Sequence, residues 1–167
     1  MMSRFWDDGG LEGIIFSDEA HFHLNGYVNK HNARYWCPEN PHELHQKQLH
    51  SRKVTVWCGM SASGIIGPYF FEDARGRTLT VNSARYTAML RNWLRQELNN
   101  FPGYNPGNTW FQQDGATPHT ANTSINALTE MFPCTLISQN GDIRFPLRSP
   151  DLAPLDFFLC GYFSRLG

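Results

Sequence analysis

Hydrophobic and polar residues alternate along Ile14–Leu24, I-I-F-S-D-E-A-H-F-H-L, so that Ile14, Phe16, Ala20, Phe22 and Leu24 share one side and Ser17, Glu19, His21 and His23 the other. A period of two is that of a β-strand. Asn25-Gly26 follows, a strong hairpin signal, with Tyr27-Val28 on the return. Val54–Met60 and Ile65–Glu72, on either side of a turn at Ser61–Gly64, predict a second pair of strands. The stretch between the pairs, Asn29–Lys53, is irregular and too long for an ordinary connection, which marks it as a candidate functional loop.

The period then changes. Over Asn82–Asn99 the apolar residues Tyr86, Met89, Leu90, Trp93 and Leu94 form one stripe, with Arg85, Arg91 and Arg95 on the other side, which predicts an amphipathic helix. Trp110–Asp114 reads as a short strand stopped by Gly115. Thr117-Pro118 predicts an N-cap with proline in the first turn, opening a helix with Ala121, Ile125, Leu128 and Phe132 on one face. Cys134–Ser138 is another short strand, closed by Gln139-Asn140-Gly141-Asp142, and a last helix after Pro154 carries Leu155, Phe158, Leu159 and Tyr162. This order predicts an α/β fold: a mixed sheet with antiparallel hairpins first and strand–helix crossovers later, flanked by helices.

Composition narrows the class. A hydrophobic share of 41% excludes an intrinsically disordered chain, and 167 residues suit one domain with a substantial core. No apolar run approaches the roughly 20 residues that cross a bilayer, and the first residues, Met-Met-Ser-Arg-Phe-Trp-Asp-Asp, lack the apolar stretch of a secretory signal. Cys37, Cys58, Cys134 and Cys160 are widely spaced without a CxxC pair, which argues against a disulfide framework or zinc ribbon and for a reducing setting. His21 and His23 with Cys37 or Cys58 are a zinc alternative, disfavoured by irregular spacing and the lack of a second pair.

The formal net charge of −1 gives no bulk attraction to nucleic acid. Any DNA contact therefore needs locally grouped cations, and a way to offset nearby carboxylates. Groups exist: His42, His45, Lys47, His50, Arg52 and Lys53; then Arg85, Arg91 and Arg95; then Arg144 and Arg148. Each also fits a solvated charged face.

Three carboxylates stand out. Asp18 falls on the apolar side of the first strand, where a charge is costly unless paired, hydrogen-bonded or metal-bound; a frayed, solvated strand centre is the alternative. Asp114 ends a strand before a glycine, at the carboxyl edge where α/β sheets bind ligands, or else closes the strand as an Asx turn. Asp156 lies near the start of the last helix, where the helix dipole alone also favours an acid. If the three converge they repel one another unless a cation lies among them. Oxygen-only ligands favour Mg²⁺ or Mn²⁺, and two such ions about 4 Å apart serve both the attacking and the leaving oxygen of a phosphodiester. His119, five residues after Asp114, is a candidate for DNA phosphate or metal-bound water, or simply a hydrogen-bonded residue of a helix's first turn.

F-S-D-E-A-H-F (Phe16–Phe22), W-F-Q-Q-D-G-A-T-P-H-T-A (Trp110–Ala121) and S-P-D-L-A-P-L-D-F-F-L (Ser149–Leu159) resemble the three acidic blocks of mariner-type transposases, and V-T-V-W-C-G-M and G-P-Y-F-F-E between them are similar too. The resemblance runs from about Gly13 to Tyr162. It implies an RNase H-like catalytic core whose acidic triad falls on Asp18, Asp114 and Asp156, with Asp156 preferred to Asp151 because the third acid follows S-P-D-L-x-P. It further implies two Mg²⁺ ions, replaceable by Mn²⁺. The activity implied is hydrolysis at transposon ends and joining of the freed 3′-hydroxyl to target DNA, in the nucleus. Lys47, Arg52, Lys53, Arg144, Arg148 and His119 are then candidates for DNA contact, and Asn29–Lys53, with Tyr35 and Trp36 as anchors, for pairing subunits in a homodimer.

The chain also departs from the family pattern. Between Asp114 and Asp156 lie 41 residues, longer than the family's usual spacing, and the extra length is expected in a turn around Ser138–Phe145. Leu147 and Cys160 stand where relatives often have proline and tryptophan. The expected organisation is a tail over residues 1–13 and a catalytic domain over 14–167, shortened at its C-terminus, with no room before Ile14 for the family's helix-turn-helix DNA-binding modules. Two other functions suit the same residues: a non-catalytic or co-opted nucleic-acid-binding relic, and an RNase H-type nuclease acting on RNA–DNA hybrids.

Overall fold

A computed structural model describes residues 13–23 and 53–144. They form one six-stranded sheet in the order β3-β2-β1-β4-β5-β6. Strand β1 spans Ile14–His23, β2 Lys53–Ser61 and β3 Gly64–Phe70; all three pair antiparallel. Strands β4 (Trp110–Gln112), β5 (Leu136–Ser138) and β6 (Ile143–Arg144) then run parallel to β1 and to one another. The mixed α/β sheet predicted from periodicity is present, antiparallel first and parallel after. The predicted return at Tyr27-Val28, the Asn29–Lys53 loop before Lys53 and the helix after Pro154 lie outside the described residues.

The segment predicted as one helix over Asn82–Asn99 is helical throughout, but not uniformly. Helix α1 (Ser83–Ala88) opens under Asn82, whose side chain accepts a hydrogen bond from the Arg85 backbone N–H. A π-helical stretch (Met89–Leu94) leads into α2 (Arg95–Asn100). Tyr86, Leu90, Leu94 and Leu98 recur every fourth residue, and all are buried. A 3.6-residue turn would carry such a row steadily around the helix. The wider π turn takes up that drift and keeps the row facing the sheet.

The second predicted helix is broken. Helix α3 (Thr117–Thr120) is a single turn, and α4 (Asn122–Met131) begins after Ala121 adopts an extended backbone. Ala116 rather than Thr117 occupies the N-cap position, with no side-chain cap. Tertiary bonds replace the missing helical ones: Ser124 Oγ donates to the Pro118 carbonyl (2.7 Å) and Gln113 Nε2 donates to the His119 carbonyl (3.0 Å).

The turn expected around Ser138–Phe145 is present at residues 139–142 and leads into a further short strand, β6. Residues 139–142 loop back so that β6 runs parallel to β5, with Asp142 Oδ2 accepting from the Leu136 backbone N–H at 3.0 Å.

The helices cover one face of the sheet. Ile15, Trp57, Ile66, Phe111, Leu128 and Phe132 interlock there with Tyr86, Leu90 and Leu94, and Trp57 meets Trp93 edge to face at 5.8 Å. On the other face Val56 and Cys58 pack with Phe16, Ala20, Phe22, Val54 and Met60. Among the described residues no helix is long and apolar enough to cross a membrane.

Candidate active site

The site is set by register. Phe16 on β1 pairs with Gln112 on β4 in a parallel ladder. Two residues on, side chains return to the same face, so the register carries Asp18 and, just beyond the end of β4, Asp114 toward the same face of the sheet. Antiparallel pairing places Cys58 opposite Asp18. Burial, and after it the charge of Asp18, pushes the Cys58 thiol up to about 11, so it stays protonated and inert. Asp18 Oδ1 accepts from the Glu19 backbone N–H at 2.8 Å.

Asp114 is held from behind. Its Oδ1 accepts from the Ala116 backbone N–H at 3.0 Å, the Asx-turn bond that the sequence allows for, and it also meets His119 Nδ1. His119 is only 2% exposed, and its Nε2 lies 3.0 Å from each carboxylate oxygen of Glu19. Glu19 reaches this place because it points to the helix-covered face while Asp18 points to the other. The imidazole ring packs against Tyr86 at 4.4 Å. Tyr86 in turn donates to Gln113 Oε1 (2.8 Å), and Gln113 Nε2 also bonds Ser138 Oγ (3.0 Å).

Burial alone lowers the pKa of His119, but the hydrogen bonds and charges of Asp114 and Glu19 outweigh it and raise the value to about 10. For Asp114, burial pushes upward, yet the bond and charge of His119 and the Ala116 N–H hold it below its ordinary value. Both ring nitrogens of the protonated imidazole therefore donate, and Asp114 is ionised beside it.

The predicted residues fall out as follows. Asp18 lies on β1 and Asp114 just beyond β4, on adjacent strands whose register carries both toward one face. Asp156, Lys47, Arg52 and Arg148 lie outside the described residues. Lys53 begins β2 opposite His23, and Arg144 ends β6; both are exposed and lie toward the end of the sheet at which Asp114 emerges. His119 is corrected: it is turned inward with both nitrogens taken, so it is not placed to meet phosphate or a metal-bound water. Arg91 and Arg95 both bond Glu130 (2.9 Å each), which offsets their charge. Glu19 was missed, because alternation gives its face but not its partner.

The donor set suits a hard cation. Asp18 and Asp114 offer carboxylate oxygens, and the Asp114 side chain is half exposed with Oδ2 receiving no hydrogen bond among the described residues. Among those residues no three acidic, histidine or cysteine side chains form a ready metal cage, so the described part of the site is a pair of carboxylates.

No family model and no curated protein matches this sequence. Solved structures do match. The Mos1 transposase paired-end complex with left transposon end superposes with a TM-score of 0.66 at 24% identity, covering 99% of this chain and 45% of that one. The Mos1 mariner paired-end complex with Mn gives 0.64 at 25% identity over 98% of this chain and 45% of that one. The same complex with Mg gives 0.65 at 25%, covering 99% and 45%. The chain therefore has the RNase H-like fold of a mariner-type transposase catalytic domain. It spans less than half the length of these Mos1 chains.

Proposed function

We propose that this chain is the catalytic part of a DNA transposase, cleaving transposon-end DNA and transferring the freed strand to target DNA. The observation that supports this reading is the parallel β1–β4 register, which carries Asp18 and Asp114 toward one face at the carboxyl edge of β4, in a sheet with the mariner transposase fold. Asp18 and Asp114 would hold Mg²⁺, with Mn²⁺ as substitute, and Asp156 would complete a two-ion, DDD-type site. Bound there, the ions supply Lewis-acid stabilisation of the attacking and leaving oxygens.

The chain's own residues bind and orient, since phosphoryl transfer leaves the protein little covalent work. Asp18 and Asp114 present fixed oxygens. Lys53 and Arg144, with Lys47, Arg52 and Arg148, would hold phosphates of the DNA backbone. Pairing through the Asn29–Lys53 loop would make a homodimer, and a genomic substrate places the protein in the nucleus.

The test is nicking of supercoiled DNA by the full chain in Mg²⁺ or Mn²⁺, with Asp18→Ala and Asp114→Ala alongside. Metal-dependent nicking lost in both variants supports the reading. Activity that survives either substitution rejects the assigned site, and preference for an RNA–DNA hybrid over duplex DNA would replace transposition with an RNase H-type activity.

A further inference from the structure

The dipeptide Asp18-Glu19 sends two carboxylates to opposite faces of one strand. Asp18 goes to the site directly, and Glu19 goes through the sheet's helix side to the back of Asp114. Between them stands His119, fixed from several directions: Nδ1 on Asp114, Nε2 on both oxygens of Glu19, the ring against Tyr86, the backbone N–H on the Ala116 carbonyl (2.9 Å) and the carbonyl on Gln113 (3.0 Å). The break at Ala121 releases that carbonyl from a helical partner, and with it the turn that carries His119 is anchored to β4 through Gln113.

We propose that Glu19 and His119 are positioning residues for Asp114: a buried strut that takes up Oδ1, fixes the carboxylate's rotamer and leaves Oδ2 to a cation. The inference rests on Asp114 being a metal ligand. Its physical basis is that a carboxylate free to rotate must be ordered when it binds an ion, whereas one already held by an imidazole and a backbone N–H is not. The arrangement also couples the two halves of the site, since any displacement of β1 at Asp18 moves Glu19 and, through the imidazole, Asp114.

Mn²⁺ binding to the full chain, measured by calorimetry and by loss of the free-ion EPR signal, tests this without requiring turnover. Glu19→Gln keeps the shape and an acceptor for Nε2–H but removes the anchoring charge; His119→Asn keeps a donor toward Asp114 and loses the reach to Glu19. Both variants are expected to weaken Mn²⁺ binding by about 10- to 100-fold. In nicking assays the loss should appear as a raised metal requirement, with the rate recovering at saturating Mn²⁺, a split that general loosening of the fold would not produce. If Asp114→Asn leaves Mn²⁺ binding unchanged, the metal site itself is wrongly assigned. If Asp114→Asn weakens binding while folded Glu19→Gln binds Mn²⁺ as tightly as the native chain, the strut is refuted and the metal site stands. Should His119→Asn fail to fold, Glu19→Gln decides.

Discussion

Glu19 and His119, a hundred positions apart in the chain, meet with the imidazole Nε2 3.0 Å from both carboxylate oxygens, in the layer between sheet and helices. Removing the ring leaves the Glu19 carboxylate, only 13% exposed, without its imidazole partner. His119→Ala is therefore expected to cost about 3 kcal/mol, the range for breaking a buried pair from one side, read as a shift of the urea midpoint.

The same pair makes stability depend on pH. The His119 pKa is raised from 6.5 to about 10, so its contribution is complete below pH 6.5 and disappears as the pH climbs through about 10. The Asp114 pKa is lowered from 3.8, so its contribution is complete above that value and is lost as the pH falls through the folded-state value. The stability difference between the native chain and His119→Gln should be largest between about pH 4 and 6.5 and shrink steadily toward pH 10. A difference that stays constant from pH 6 to 10 would show that His119 is not held as the imidazolium.

Two cysteines with contrasting surroundings give a test of the sheet's second face. Cys58 is buried opposite Asp18 with its thiol pushed up to about 11, whereas Cys134 is exposed in the turn before β5. Iodoacetamide at pH 8 should label the Cys134 peptide at least tenfold faster than the Cys58 peptide, as followed by mass spectrometry. Equal rates would mean that the packing around Val56 and Cys58 is absent in solution.

Gly141 closes the loop that returns β6 alongside β5. A Cβ there would lie 2.6 Å from the Leu136 carbonyl oxygen, so main chain would have to move. Gly141→Ala should destabilise by about 1–3 kcal/mol in a urea melt, while an alanine at Gly76, where nothing lies within 4 Å, meets no such obstacle apart from its φ of +70°.

Much of this architecture is legible in the residues, and the rest is not, for definite reasons. Alternation along Ile14–His23 and the i, i+4 row from Tyr86 to Leu98 report burial directly, because the buried side must be apolar at the period of the element. Asp18 and Asp114 stand out because a charge interrupts that pattern or ends it. The break at Ala121 leaves no such trace: alanine is a good helix former, and the interruption comes from Gln113 and Ser124 capturing the carbonyls of His119 and Pro118. A strand of two residues such as β6 is too short to show a period. The inward turn of His119 depends on a partner a hundred residues away, which no local pattern encodes; a histidine close after a strand-ending acid reads equally well as facing solvent or core.

The most direct measurement is an anomalous difference map of crystals of the full chain soaked in Mn²⁺. The account predicts a peak bridging the carboxylates of Asp18 and Asp114, on the oxygen of Asp114 that His119 does not hold. Mn²⁺ bound elsewhere, with those two carboxylates turned apart and unligated, would contradict it.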